Sequence, residues 1–211
     1  PSLNNNGANK LGAGNSENSN KIEGQATQGK KYKFDNTNKL GEKPDVWVAH
    51  LTVPSSAPKF KPENDLSFLI KQGNEITNTY EYRNINNELL GYTLRIREKS
   101  SGSKQVLPVA YCHNEAKGKS RWQLKGISDN GTKPIYKLEQ IAANPEKPIL
   151  IVEGEKTADA ASKLLPDYNV VSWIGGAQGA GKVDWSKLKD KVVSIWPDND
   201  QAGIGAASKI A

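Results

Sequence analysis

Ile149-Leu150-Ile151-Val152-Glu153-Gly154 and, further along, Val192-Val193-Ser194-Ile195-Trp196-Pro197-Asp198-Asn199-Asp200 are the stretches that decide the fold of this chain. Each is a short apolar run rich in β-branched residues, the pattern of a strand buried in a parallel sheet. Between them, Lys156 to Leu165 places Ala158, Ala161, Leu164 and Leu165 at helical spacing, and Val170-Val171-Ser172-Trp173-Ile174 reads as a further strand. Strand, helix, strand, loop and strand in that order predict an open α/β sheet, whose ligands bind beyond the carboxyl ends of its strands. Glu153, Asp198 and Asp200 all stand at such ends. Alternation along an extended backbone points Asp198 and Asp200 to one side and Asn199 away. Three acids converging on one edge repel each other unless a cation neutralises them, and hard oxygen ligands suit Mg²⁺ or Mn²⁺.

An Asp-x-Asp after a strand is, taken alone, a common turn with side-chain-to-backbone hydrogen bonds. Its combination with Glu153 at a second strand end, 45 residues earlier, is what points to metal-dependent phosphoryl chemistry. Gly176 to Lys182 also fits G-x-x-x-x-G-K, the pattern of a phosphate-cradling loop. Val183 stands where that loop needs a Ser or Thr to hold magnesium, so the segment reads instead as a connecting loop beside the acids. The backbone around Gly176 and Gly179, together with Lys182, is then placed to touch phosphate. Lys156, on the first turn of its helix, has the same reach, and a solvated lysine there fits equally well.

Working upstream, Tyr80 to Arg83, the Asn-rich Asn84 to Asn87, and Leu90 to Arg97 predict a β-hairpin. Val106 to Tyr111 and Arg121 to Ile127 add two strands, giving a small antiparallel region over about 79–128 that leads through Pro134-Ile135-Tyr136 and a short helix near 137–143. Arg95 and Arg97 share a strand face with Tyr92 nearby, a combination that holds single-stranded nucleic acid by charge and stacking. Exposed alternation on any antiparallel sheet gives the same pattern, and both readings stand at this point. Seven of the first twenty residues are Asn. That composition offers too little apolar surface to offset ordering, which predicts a disordered linker over 1–43. A basic β-rich region over 44–144 and an α/β domain over 145–211 follow. Pro44, Pro54, Pro58 and Pro62 predict an extended course at the start of the β-rich region, with a short strand at Val46 to Val48.

The net charge of +6 is uneven: residues 1–144 carry 21 Lys/Arg against 14 Asp/Glu, and residues 145–211 carry 8 against 9. A basic part beside an acidic site suits a polyanionic substrate held by one and processed by the other. Cys112 is the only cysteine, which rules out an internal disulfide and a zinc ribbon in this stretch and fits a cytoplasmic location. No run approaches the roughly 18 apolar residues of a membrane helix. His50 and His113 read as structural or solvated. The chain lacks methionine and begins at Pro1, as expected of a piece of a longer protein.

Val152-Glu153-Gly154-Glu155, Pro197-Asp198-Asn199-Asp200 and the Ala202-Gly203-x-x-Ala206-Ala207 that follows resemble the Toprim domain, shared by DnaG-type primases, topoisomerases of types IA and II, OLD nucleases and RecR-like proteins. Within that superfamily the resemblance is to the primase and primase–helicase proteins of phages, plasmids and conjugative elements. In those, a Tyr-containing hairpin, a Trp motif and a Pro-Leu-Tyr-like motif precede a segment like Glu153 to Ala161; here Tyr80 to Arg97, Arg121-Trp122 and Pro134-Ile135-Tyr136 are similar. The resemblance covers about residues 57–211. It implies an α/β Toprim fold, a Rossmann-like parallel sheet, preceded by the antiparallel region. It also implies a primase-type nucleotidyltransferase in the replication of a mobile element, with Glu153, Asp198 and Asp200 as catalytic and metal-binding residues and Mg²⁺ or Mn²⁺ as cofactor. Single-stranded DNA and nucleoside triphosphates are the implied substrates, and a helicase or other replication module the implied partner.

Nuclease or topoisomerase chemistry, and DNA binding without catalysis, are the other activities of the superfamily. Two departures stand out: Thr157 lies where DnaG-type enzymes often carry an aspartate, with Asp159 two residues later, and a complete Toprim sheet needs a further helix and strand after the Asp-x-Asp motif. Ala211 is eleven residues beyond Asp200, so the resemblance implies a fold cut short.

Val183 at the magnesium position predicts that the purified protein does not hydrolyse ATP through the glycine-rich segment. A phosphate-release assay on wild type and Lys182→Ala checks this. ATPase activity that Lys182→Ala abolishes would overturn it.

Overall fold

The computed structural model describes residues 45–211, and the linker expected over 1–43 lies outside them. Two sheets organise these residues. In chain order the elements are β1 (Val48–Ala49), α1 (Pro62–Asp65), α2 (Ser67–Lys71), β2 (Asn74–Arg83), β3 (Leu89–Glu98), β4 (Lys104–Asn114), β5 (Lys119–Leu124), β6 (Ile135–Tyr136), α3 (Leu138–Ala143), β7 (Ile149–Val152), α4 (Glu155–Leu164), β8 (Asn169–Trp173), α5 (Gly176–Gly179), β9 (Val193–Trp196) and α6 (Gln201–Ile210).

The first sheet is antiparallel, in the order β1-β4-β3-β2 with β5 on the far side of β4. Its β2–β3 hairpin closes where the Asn-rich stretch predicts. The Asn84 side chain accepts from the amides of Asn86 and Glu88, and Asn87 takes a left-handed backbone at φ 65°, which asparagine tolerates. One face of this sheet carries Tyr80, Tyr82, Thr93, Ala110 and Cys112; the other carries Tyr92, Leu94, Ile96 and Trp122. Buried side chains lie on both faces. The proline-rich stretch covers the second face instead of merely running extended: Phe60 is buried, its ring 4.8 Å from Tyr92 and 5.1 Å from Trp122, and the Trp122 indole donates to the Pro58 carbonyl.

The second sheet has the order β6-β8-β7-β9. β8, β7 and β9 are parallel, as expected, but β6 joins antiparallel to β8, so the sheet is mixed. With β6 and α3 in its structure, the α/β sheet recruits residues ahead of Pro145. Every residue of β7 and β8 is buried. Alternation divides them: Leu150, Val152 and Val170 face the core shared with the antiparallel sheet and α4, whereas Ile149, Ile151 and Val171 face a second core with Leu138, Leu188 and Ala206. A helix does follow the Asp-x-Asp segment, contrary to the expectation that it is missing, because Asp200 caps α6 through a 2.7 Å bond from the Gly203 amide. β9 is an edge strand with Val193 and Trp196 exposed. No helix among the described residues is long and apolar enough to cross a membrane.

Gly91 of β3 leaves no room for a side chain against β4 and Ile127. Its φ is 152°, and a Cβ there would lie 2.5 Å from both the Val109 carbonyl oxygen and the Ile127 side chain. Gly91→Ala is expected to cost about 2–4 kcal/mol of stability by denaturant titration. Gly102→Ala, where the added carbon meets open space, should cost only about 1 kcal/mol.

Candidate functional site

β7 and β9 end side by side, with Val152 in register with Trp196, so Glu153 and the Asp198 to Asp200 turn emerge at one sheet edge. Glu153 is half-buried and Asp198 and Asp200 are exposed. Burial pushes the Glu153 carboxyl above its ordinary range, the charge of Asp198 adds to the shift, the nearby Ala177 amide opposes it, and Asp200 adds a further push upward. The two aspartates do not alternate along an extended strand as the sequence suggests. The chain turns after Trp196, the Asp200 amide donates to the Asp198 carbonyl at 2.8 Å, and one Asp200 oxygen is used on the Gly203 amide. A side chain at Gly203 would collide with the Asp198 backbone, so glycine there lets α6 sit on the turn.

Among the described residues, no three His, Cys, Asp or Glu side chains gather closely enough to hold a metal ion between them. The donor chemistry nevertheless suits a hard cation. The charges of Asp198 and Asp200 both raise the proton affinity of Glu153, and Mg²⁺ is commonly held by one or two carboxylates with water and substrate phosphate completing its shell.

The glycine-rich segment does not form a phosphate loop leading into a helix. Gly176–Gly179 is a single helical turn, Ala180–Lys182 a 3₁₀ turn, and Val183 is extended. Gly176 borders Glu153, since a Cβ on it would lie 3.6 Å from a Glu153 oxygen. Gly179 is buried against the Ile174 carbonyl, a packing reason for glycine rather than a ligand-facing one. Lys182 is exposed, and its carbonyl accepts from the Lys133 amide at 2.9 Å. Lys133 is a residue that sequence reasoning missed. Its Nζ donates to the Ile174 carbonyl at 3.2 Å, at the end of β8, and burial followed by the Lys182 charge lowers its pKa. Its place one residue ahead of the Pro134-Ile135-Tyr136 motif was the available signal.

Lys156 is exposed on the first turn of α4. Arg95 and Arg97 lie on the other sheet. Arg97 is engaged by Glu75 at 2.6 Å, and Arg95 is half-buried near Tyr80. Tyr92 points to the opposite face, stacked on Phe60, and forms no stacking platform with these arginines. A second residue that sequence reasoning missed is Glu155, buried at the start of α4, where it accepts from the Tyr82 hydroxyl at 2.8 Å and from Thr93 at 3.0 Å. Burial, and then the charge of Glu155, hold the Tyr82 hydroxyl well above its ordinary pKa, so it remains a donor.

No family model and no curated protein matches the chain. Two solved structures are similar to it. The primase fragment of the bacteriophage T7 primase-helicase protein is 18% identical with a TM-score of 0.41, over 85% of this chain and 68% of that one. The catalytic core of DnaG is 19% identical with a TM-score of 0.40, over 71% of this chain and 46% of that one. The chain thus spans less than half of the DnaG core.

While Glu153 is ionised, the folded chain carries a repulsive and desolvation penalty that the unfolded chain lacks. Glu153→Gln should therefore melt higher than wild type at pH 7. The gap should close as pH falls through the raised carboxyl pKa and vanish below the ordinary glutamate range, where wild type is neutral too. Calorimetric melts from about pH 3 to 8 check both the sign and the window.

Proposed function

We propose that this chain is a Toprim-type primase module, a nucleotidyltransferase that joins nucleoside triphosphates on single-stranded DNA during replication of a mobile element in the cytoplasm. The observation that carries the reading is the convergence of Glu153 with Asp198 and Asp200 at the adjoining ends of β7 and β9, with Lys133 and Lys182 beside the loop that borders Glu153. Acids to hold a divalent ion and cations to hold phosphate, at the carboxyl ends of parallel strands, suit phosphoryl transfer between polyanions.

Asp198, with its carboxylate exposed and uncapped by the helix, and Glu153 would hold Mg²⁺ or Mn²⁺, and Asp200 contributes its charge and its remaining oxygen. When bound, the ion neutralises phosphate charge and stabilises the charge that develops in an in-line displacement. Where the ion rests on the aspartates alone, Glu153, whose carboxyl is held above its ordinary range, is suited instead to take the proton from the attacking hydroxyl. Lys133 and Lys182 offer cations to the triphosphate, and Gly176 allows close approach of the backbone. Arg95, and Arg97 on release from Glu75, would hold the template by charge alone. A helicase or related replication module is the expected partner.

Incubating the protein with single-stranded template, nucleoside triphosphates and Mg²⁺ or Mn²⁺ should yield template-dependent products. Asp198→Asn and Glu153→Gln should lower that yield by at least about a hundredfold, and calorimetric Mg²⁺ binding should weaken in parallel. Strand cleavage without synthesis would assign the site to nuclease or topoisomerase chemistry. DNA binding that is indifferent to both substitutions would make the module non-catalytic.

A further inference from the structure

Glu155 is 5% exposed, yet it carries a carboxylate into the contact between the antiparallel sheet and α4. Its Oε1 accepts from Tyr82 of β2 at 2.8 Å and from Thr93 of β3 at 3.0 Å. Tyr82 is fully buried and its ring lies 5.2 Å from that of Tyr136, whose hydroxyl donates to Asp159 at 3.0 Å, one helical turn beyond Glu155. Lys137 reaches the same Asp159 oxygen at 2.8 Å. Two successive turns of α4 are thus tied by polar bonds to the other elements, and Lys137 adds a bond to Ser162 at 3.0 Å, around a contact whose centre is apolar.

Stability does not call for this arrangement, because a buried carboxylate is commonly matched or bettered by an apolar side chain of similar volume. What it fixes is position. Hydrogen bonds from two adjacent strands set the rotation and height of the first turn of α4, where packing alone would allow sliding. The residue entering that turn is Gly154, at φ 83° with open space around it, so it imposes little direction of its own on Glu153. Thr93 also shares its strand face with Arg95 and Arg97, two and four residues along β3.

We infer that Glu155 is a positioning residue: held by Tyr82 and Thr93, it aims Glu153 at the reacting groups and ties the acidic edge to the strand that carries the template-binding arginines. This inference rests on the primase reading above for its catalytic consequence, but not for its geometric one. The Ala177 amide follows Gly176, where a Cβ would lie 3.6 Å from a Glu153 oxygen, so its resonance reports where that carboxylate points, with or without catalysis.

The test uses the 211-residue protein and the variants Glu155→Leu, Glu155→Gln and Tyr82→Phe. Glu155→Leu should fold with an unchanged or higher Tm. Its kcat for primer synthesis should fall about a hundredfold while KM for nucleoside triphosphates and single-stranded DNA affinity stay within about threefold. Its Ala177 amide resonance should move in an ¹⁵N-correlated NMR spectrum. Glu155→Gln, which keeps the acceptor oxygen, should restore both the rate and the Ala177 resonance, and Tyr82→Phe should fall between. A folded Glu155→Leu protein with wild-type kcat and an unmoved Ala177 amide overturns the inference, as does Glu155→Gln failing as badly as Leu. If wild type makes no primers, the primase reading fails and the Ala177 amide alone decides this inference. If Glu155→Leu does not fold, Tyr82→Phe decides it by the same amide.

Discussion

Four residues, Ile149 to Val152, must be kept from water on both faces, and the rest of the molecule is arranged around that requirement. A parallel strand flanked on both sides cannot show polar residues to solvent, so each face needs its own cover. Leu150 and Val152 are covered by α4 and by the face of the antiparallel sheet that carries Tyr80, Tyr82 and Ala110; Ile149 and Ile151 are covered by α3, α6 and Leu188. The antiparallel sheet is therefore one wall of the α/β core rather than an appendage to it. Its own second face is in turn closed by Phe60 and the short helices around it.

Placing β7 in the middle also places the acidic edge. Glu153 leaves the sheet directly from the buried strand, and β9 runs beside it in register, so the turn after Trp196 opens against the same edge. That turn is shaped by its own backbone and by the cap it provides to α6, and Gly203 lets the helix approach it closely. Glu153 is consequently near enough to feel the charge of both aspartates, without the three closing into a tight cage. On the proposed reading, such an open arrangement would let a hard ion be shared with substrate phosphate.

Between the two sheets the contact is mostly apolar, and apolar contacts specify distance better than register. The bonds from Tyr82 and Thr93 to Glu155 and from Tyr136 to Asp159 supply the missing direction. They join residues from 23 to 73 positions apart, which makes the orientation of α4 a property of the whole assembly.

By itself the sequence determined the elements: β7 from its four-residue apolar run, α4 from its spaced alanines and leucines, the β2–β3 hairpin from its asparagines, and the strand-end placement of Glu153 and the Asp-x-Asp segment. Each of these depends on neighbours within one or two turns or strands, and such order is written locally as periodicity or turn chemistry. Only the tertiary structure decided the remainder. The antiparallel direction of β6, the face on which Tyr92 packs, the cover provided by Phe60, the meeting of Lys133 with Lys182, and the burial of Glu155 all follow from which elements touch. A charged residue on the first turn of a helix reads as solvated in any local pattern. Glu155 is buried because two strands far away in the chain bring hydroxyls to it, and that is a fact of packing which no sequence period carries.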